Sequence, residues 1–220
     1  MAGRVESRER LPVGQDGPVN IERSSLSRRA LEVAPDLLGC MIARTSEEGT
    51  VAVRITEVEA YEGADDPGSH GYRGRTERNA VMFGPAGHLY VYFTYGMHWC
   101  ANIVCGPGGV CSAVLLRAGE VTEGVELGRK RRPAARSDRD LARGPARLAG
   151  VLGLDRADNG ADLLSPEGDV RLYADVGRRP SDTIRTGPRV GLANGAARPW
   201  RFWLDGNPTV SQYRPHKRRR

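Results

Sequence analysis

Lysine is almost missing from this sequence. Of its 33 basic residues only Lys130 and Lys217 are lysines, and none falls between residues 51 and 117. A covalent mechanism that needs an amine to form a Schiff base therefore finds no nucleophile in the middle of the chain. Cysteine is scarce too: Cys40, Cys100, Cys105 and Cys111 sit among apolar neighbours, with no Cys-x-x-Cys pair and no Cys/His ligand spacing. That pattern reads as buried thiols and argues against a zinc site or a disulfide framework. His-x-Glu followed by Pro-Cys-x-x-Cys, the signature of zinc deaminases, is absent as well, which excludes that class. No apolar run approaches about 18 residues, and the first residues lack the apolar core of a signal peptide, so a soluble intracellular protein is expected.

What is present is a chain of 220 residues without a sharp break in composition, enough for one domain around one core. Its net charge is +6, and an anionic partner fits that excess. Nearly all of the positive charge is guanidinium, the planar donor suited to phosphate. A GC-rich genome gives the same bias, and composition does not choose between the two.

Residues 1–24 mix Arg, Glu, Gly and Pro without periodicity and are predicted to be a disordered basic arm, since they offer too little apolar burial to offset ordering entropy. Further on, Leu31, Ala34, Leu37 and Leu38 recur at helical spacing; Pro35 suits a restart and Gly39 an end, giving a short, kinked amphipathic helix. Residues 51–61 alternate strictly, with Val51, Val53, Ile55, Glu57, Glu59 and Tyr61 on one face. Residues 62–88 are a long connection rich in Gly, Asp, Arg and Pro, the kind of loop that carries function. An aromatic strand over 89–93, a turn at Tyr95-Gly96 and a returning strand over 99–104 make a hairpin. Residues 110–116 read as a buried strand, 144–154 as a helix, and 172–176 and 200–204 as short strands. The basic run 129–147 is either a solvated helix face or part of an anion-binding footprint, and 213–220 form a basic tail. The expected class is α+β: a single domain over 25–212 with a curved, mostly antiparallel sheet, short flanking helices and long loops.

On a strand whose inward face carries Val51, Val53 and Ile55, parity places Glu59 on that same face beside a loop. A partly desolvated carboxylate there is a general-base candidate; the bland alternative is a strand-end glutamate that meets water or an arginine. Tyr95 at the hairpin turn either protrudes, where its ring can fill the gap left by an extruded base, or packs over its own hairpin. The loop 73–79, Arg-Gly-Arg-Thr-Glu-Arg-Asn, offers the guanidinium, hydroxyl and amide donors that phosphates accept, or is simply solvated. His98 either reaches an opposing strand or caps the hairpin.

Together these pieces resemble a known family. Thr56-Glu-Val-Glu-Ala-Tyr61, His70, Arg78-Asn79, Leu89-Tyr-Val-Tyr-Phe-Thr-Tyr-Gly-Met97, Asn102-Ile103 and Leu115-Leu-Arg117 have the order and spacing of the alkyladenine (3-methyladenine, or methylpurine) DNA glycosylases. Weaker similarity at Gly144-Pro-Ala-Arg-Leu148, Gly187-Pro-Arg-Val-Gly191 and Arg198-Pro-Trp-Arg-Phe202 extends it over residues 25–212. The resemblance implies a monofunctional DNA glycosylase that flips alkylated or deaminated purines (3-methyladenine, 7-methylguanine, hypoxanthine, etheno-adenine) out of duplex DNA. Glu59 would activate the attacking water, with Arg117 helping to hold it, and no strand-nicking lyase step would follow. By the same resemblance Tyr61, His70 and Tyr92 would line the base pocket, Asn102 would exclude guanine, and Tyr95 would be the intercalating wedge. Arg73, Arg75, Arg78, Asn79, Met97 and His98 would contact the DNA backbone. No metal or organic cofactor is implied, and the partner is damaged duplex DNA, bound by a monomer without membrane or obligate protein partner, in a bacterial cytoplasm or, in a eukaryote, a nucleus. Two features depart from the family pattern: His88 stands where a small hydroxyl residue is usual, and His98-Trp99 where two aromatics without imidazole are.

Two other readings compete. A non-catalytic nucleic-acid-binding module explains the charge and the aromatics but has no need of Glu59 beside Tyr61 and Arg117. A sugar-polymer hydrolase would use Glu57 and Glu59 as a carboxylate pair about 6–7 Å apart at the backbone.

Overall fold

The computed structural model describes residues 19–94, 96–174 and 183–216. Residues 1–18 of the expected arm, Tyr95 and the last four residues of the tail lie outside them. The expected arm is too long as drawn: β1 (Val19–Asn20) is hydrogen-bonded into the sheet and α1 (Arg23–Leu26) buries Leu26, so the fold begins by Val19. In α2 (Ala30–Leu37) the buried positions Ala30, Val33, Ala34 and Leu37 follow the predicted periodicity. Pro35 lies inside this helix and does not restart it, and Gly39, with φ 93°, takes the left-handed conformation that turns the chain out of it.

Nine strands form one sheet among the described residues, and every pairing in it is antiparallel. Besides β1 they are β2 (Met41–Ser46), β3 (Gly49–Tyr61), β4 (Leu89–Thr94), β5 (His98–Val104), β6 (Ala113–Glu123), β7 (Val170–Ala174), β8 (Ile184–Gly187) and β9 (Arg201–Leu204). The order is β1-β7-β2-β3-β6-β5-β4, with β9 on β3 and β8 on β9. With α3 (Val125–Arg131) and α4 (Pro145–Leu152) the fold is the expected α+β domain. The strand expected over 110–116 starts later and runs further, because 106–110 form a glycine-rich turn and Val110 is exposed. The basic run is substantially ion-paired: Arg129 with Asp138, Lys130 and Arg131 with Glu48, and Arg143 with Asp140.

β3 is the hub of the sheet. One edge pairs with β2 along residues 49–54 and then with β9 along Glu57–Glu59, while the other edge pairs with β6. The handover coincides with register shifts against β6 between Ile55 and Glu57 and between Glu57 and Val58. An extra residue in a strand reverses the face that its successors present. Val51, Val53 and Ile55 lie in the main core, and after the bulge it is Val58 and Ala60 that do. Glu57, Glu59 and Tyr61 thus face away from that core, on the side of Leu115 and Arg117. This corrects the expectation that Glu59 shares the face of Val51, Val53 and Ile55: the parity was read through a step that does not conserve it.

The bulge leaves no room opposite it. Gly119 pairs with Ile55, and a Cβ there would meet Val53 Cγ1 at 2.3 Å and the Arg54 carbonyl oxygen at 2.6 Å, the latter fixed backbone. Gly119→Ala is expected to cost about 1–3 kcal/mol by overpacking, lowering the melting temperature by roughly 2–4 °C per kcal/mol; a calorimetric scan reads it, and an unchanged melting temperature would show that the bulge is free to relax.

Candidate active site

Three groups bind Glu59, which has no solvent exposure. Its Oε1 accepts the Val190 backbone N–H at 2.7 Å and lies 3.3 Å from Arg117 Nη1, while Oε2 accepts the Tyr61 hydroxyl at 2.8 Å. Burial and the charge of Glu59 hold the Tyr61 phenol well above its ordinary range, so it keeps the proton it donates. An ionised carboxylate offers about four lone-pair directions. Oε2 has one protein donor and therefore keeps capacity to accept another hydrogen bond.

Glu57 is different. Its carboxylate accepts four bonds, from Arg117 Nε (2.9 Å), Arg201 Nε (2.7 Å), Ser211 Oγ (2.9 Å) and the Ser211 backbone N–H (2.6 Å). Three of these bonds fall on Oε1, two come from guanidiniums, and Glu57 does not border the cavity that Glu59 lines, which argues against the carboxylate-pair reading of Glu57 with Glu59. Burial alone would lower the pKa of Arg117, but Glu59 and Glu57 outweigh it and the net shift is upward.

Glu59, Tyr61 and Arg117 open onto a cavity of about 300 Å³ whose walls include His70, Tyr90, Tyr92, His98, Asn102 and Leu192. The antiparallel hairpin β4–β5 sets Tyr90 opposite Asn102 and Tyr92 opposite Cys100. Asn102 Nδ2 donates to the Tyr90 carbonyl at 3.2 Å, which fixes its amide at the wall. His70 arrives from the loop 62–88: its ring stands edge-on to Tyr92 at 4.5 Å, with Nδ1 3.1 Å from the Tyr90 hydroxyl. Burial, and then the charge of Arg78, lower the His70 pKa below its ordinary value, while burial pushes the Tyr90 phenol up to about 12. The loop can approach this closely because residue 71 is glycine; a Cβ there would meet Cys111 Sγ at 2.1 Å.

An ion pair that sequence reasoning missed locks the same loop. Arg189, fully buried, clasps Asp66 with both terminal nitrogens (2.5 and 2.6 Å), donates to the Ala60 carbonyl at 2.9 Å, and lies 4.5 Å from the Tyr61 ring centroid. Arg189, Val190 and Arg201 fall within the short motifs at 187–191 and 198–202, which carried that much signal. Nothing local marked Asp66 or Ser211, which are distant in sequence from their partners.

In the loop 73–79, Arg73, Arg75 and Arg78 are exposed, and Arg78 Nη2 donates to the Phe93 carbonyl at 3.2 Å. Met97 is 68% exposed, and His98 is exposed and also borders the cavity. Asn79 is a correction. It is buried with its amide nitrogen on the carbonyls of His70 and Gly74 and its oxygen on the Thr76 N–H, so its polar groups brace the loop and are not offered to phosphate. His88 lies off the cavity, its Nδ1 3.1 Å from the Pro85 carbonyl, and all four cysteines are buried outside any disulfide.

Comparison with known proteins agrees with this geometry. The family model for methylpurine-DNA glycosylase matches residues 24–208. A protein of Streptomyces avermitilis provisionally named 3-methyladenine DNA glycosylase is 57% identical over 201 residues, covering 91% of this chain and 94% of its own length. Provisionally named 3-methyladenine DNA glycosylases of Leifsonia xyli subsp. xyli and Nocardia farcinica are 52% and 53% identical, covering 88% and 79% of this chain and 92% and 84% of their own lengths. With a buried carboxylate, an arginine and an aromatic cavity at the positions that the resemblance singled out, and with the family model spanning nearly the whole described fold, the chain belongs to the methylpurine-DNA glycosylase family.

Proposed function

We propose that this protein extrudes alkylated purines from duplex DNA into the cavity beside Glu59 and hydrolyses the N-glycosidic bond with a water that Glu59 activates. The observation that carries the reading is the carboxylate itself: buried, held on two sides by Val190 and Tyr61, and with an oxygen that can still accept a proton at the cavity wall. Water oxygen attacks C1′ while Glu59 accepts its proton, and the C1′–N bond breaks with its electron pair leaving on the base. Arg117 stabilises Glu59 and orients the water. A purine alkylated at N3 or N7 is cationic, so it leaves neutral and needs no acid. The faces of Tyr61 and Tyr92 attract that cation by about 0.5–2 kcal/mol in a desolvated site. Hypoxanthine and etheno-adenine are neutral and need a proton donor, which makes them slower substrates.

Tyr90, protonated, donates to His70 Nδ1 and so leaves the Nε2–H as a donor to the nucleotide. Asn102 crowds the position of an exocyclic 2-amino group and rejects guanine. Tyr95 fills the stack vacated by the base, and Arg73, Arg75, Arg78, Met97 and His98 track the flanking backbone. Displacement is by water and not by an amine, so strand nicking does not follow: Lys130, on α3, is tied to Glu48 at the surface. The protein acts as a monomer without metal or organic cofactor, on DNA in the bacterial cytoplasm, as the bacterial relatives suggest.

Glu59→Gln is expected to slow single-turnover release of 7-methylguanine by about 10²–10⁴-fold, the usual worth of a general base, while the dissociation constant for the same duplex holds. Release at the wild-type rate would remove Glu59 as the base. A second expectation concerns pH. His70 is neutral at pH 7, and protonation below its lowered pKa sets a cation beside a cationic purine, so release should fall as pH drops below about 6.5. In the same window stability falls, because the unfolded chain takes up the proton first. His70→Asn should flatten this part of the profile; an unaltered decline would assign it to another group.

A further inference from the structure

We infer that Glu57 is a positioning residue for the reaction: it aims Arg117 and prevents that arginine from closing on Glu59. An arginine beside one carboxylate tends to form a bidentate fork, with two parallel N–H···O bonds of about 2.7–2.9 Å. Here the Nε of Arg117 is spent on Glu57 at 2.9 Å, and only Nη1 reaches Glu59, at 3.3 Å. Arg117 Nη2 is directed to Ser211 Oγ at 3.4 Å, and that hydroxyl in turn donates to Glu57. Glu59 is thus steadied by a cation that does not occupy both of its oxygens. Four charges make the arrangement sustainable without solvent: Glu57 and Glu59 against Arg117 and Arg201, the last lying 4.6 Å from the Trp203 ring centroid. A carboxylate kept only for packing would need neither the four hydrogen bonds that Glu57 accepts nor its share in the arginine that serves its neighbour.

This inference rests on the proposal that Glu59 and Arg117 carry the chemistry, and the test separates the two. Glu57→Asp keeps all four charges but withdraws the carboxylate by one methylene, and a displacement of about 1 Å in a catalytic group costs up to about 10²-fold. Single-turnover release from a duplex with one 7-methylguanine is expected to slow at least about tenfold, with the amplitude per folded protein and the DNA dissociation constant unchanged. A variant that is merely less stable loses amplitude and not rate constant, so the rate separates positioning from structure. Ser211→Ala removes one donor from the clasp without altering charge, and a slowing of about threefold or more is expected from the lost bond; it serves where Glu57→Asp does not fold. Each is then combined with Arg117→Met. If Glu57 acts through Arg117, the double variants are no slower than Arg117→Met alone. Wild-type rates in both single variants, or a further slowing of about tenfold in the doubles, would overturn the inference. If Glu59→Gln also retains activity, it is the reading of the site that fails.

Discussion

Two buried carboxylates two residues apart on one strand are the constraint around which the domain is organised. Burying either alone would cost several kcal/mol. Their compensation comes from four separate stretches of chain: Arg117 from β6, Val190 from the segment after β8, Arg201 from β9, and Ser211 beyond it. The outermost elements must therefore return to the centre of the sheet, and β9 takes over the edge of β3 where β2 leaves it. Fold and site share this origin. The bulged step that ends the pairing with β2 also turns Glu57, Glu59 and Tyr61 out of the apolar core and into the cavity.

Opposite the carboxylates the cavity is built from aromatic rings, and here the long loop supplies what the sheet cannot. It has no strand of its own, so its backbone is held by side chains: Asp66 on Arg189, Asn79 across its own turns, and Gly71 pressed on Cys111. Arg189 links this scaffold to the chemistry, because the guanidinium that grips Asp66 also lies against Tyr61, whose hydroxyl donates to Glu59. The result is a floor of buried charge facing a wall of aromatic rings.

Charge on the outside is distributed by another rule. Arg129, Lys130, Arg131 and Arg143 meet carboxylates at the surface and contribute little individually. The arginines of the loop 73–79 are exposed, and no ion pair to a carboxylate is seen for them among the described residues.

By itself, the sequence determined the α+β class and the hairpin that carries Tyr92 and Asn102, because periodicity and turn residues are local properties, and its motifs singled out Glu59, Tyr61, His70 and Arg117, which the fold brings to one cavity. The tertiary structure decided how those residues face. Strict alternation over 51–61 hid the reversal at Glu57, since a bulge depends on the partner strand and leaves no mark in the strand's own pattern. Asn79 read as a phosphate donor until its amide was seen to be used within the loop. Ser211, Asp66 and Arg189 acquire their roles from contacts across more than a hundred residues of chain. What lies next to a carboxylate when the chain closes is a question of packing, and only the folded arrangement answers it.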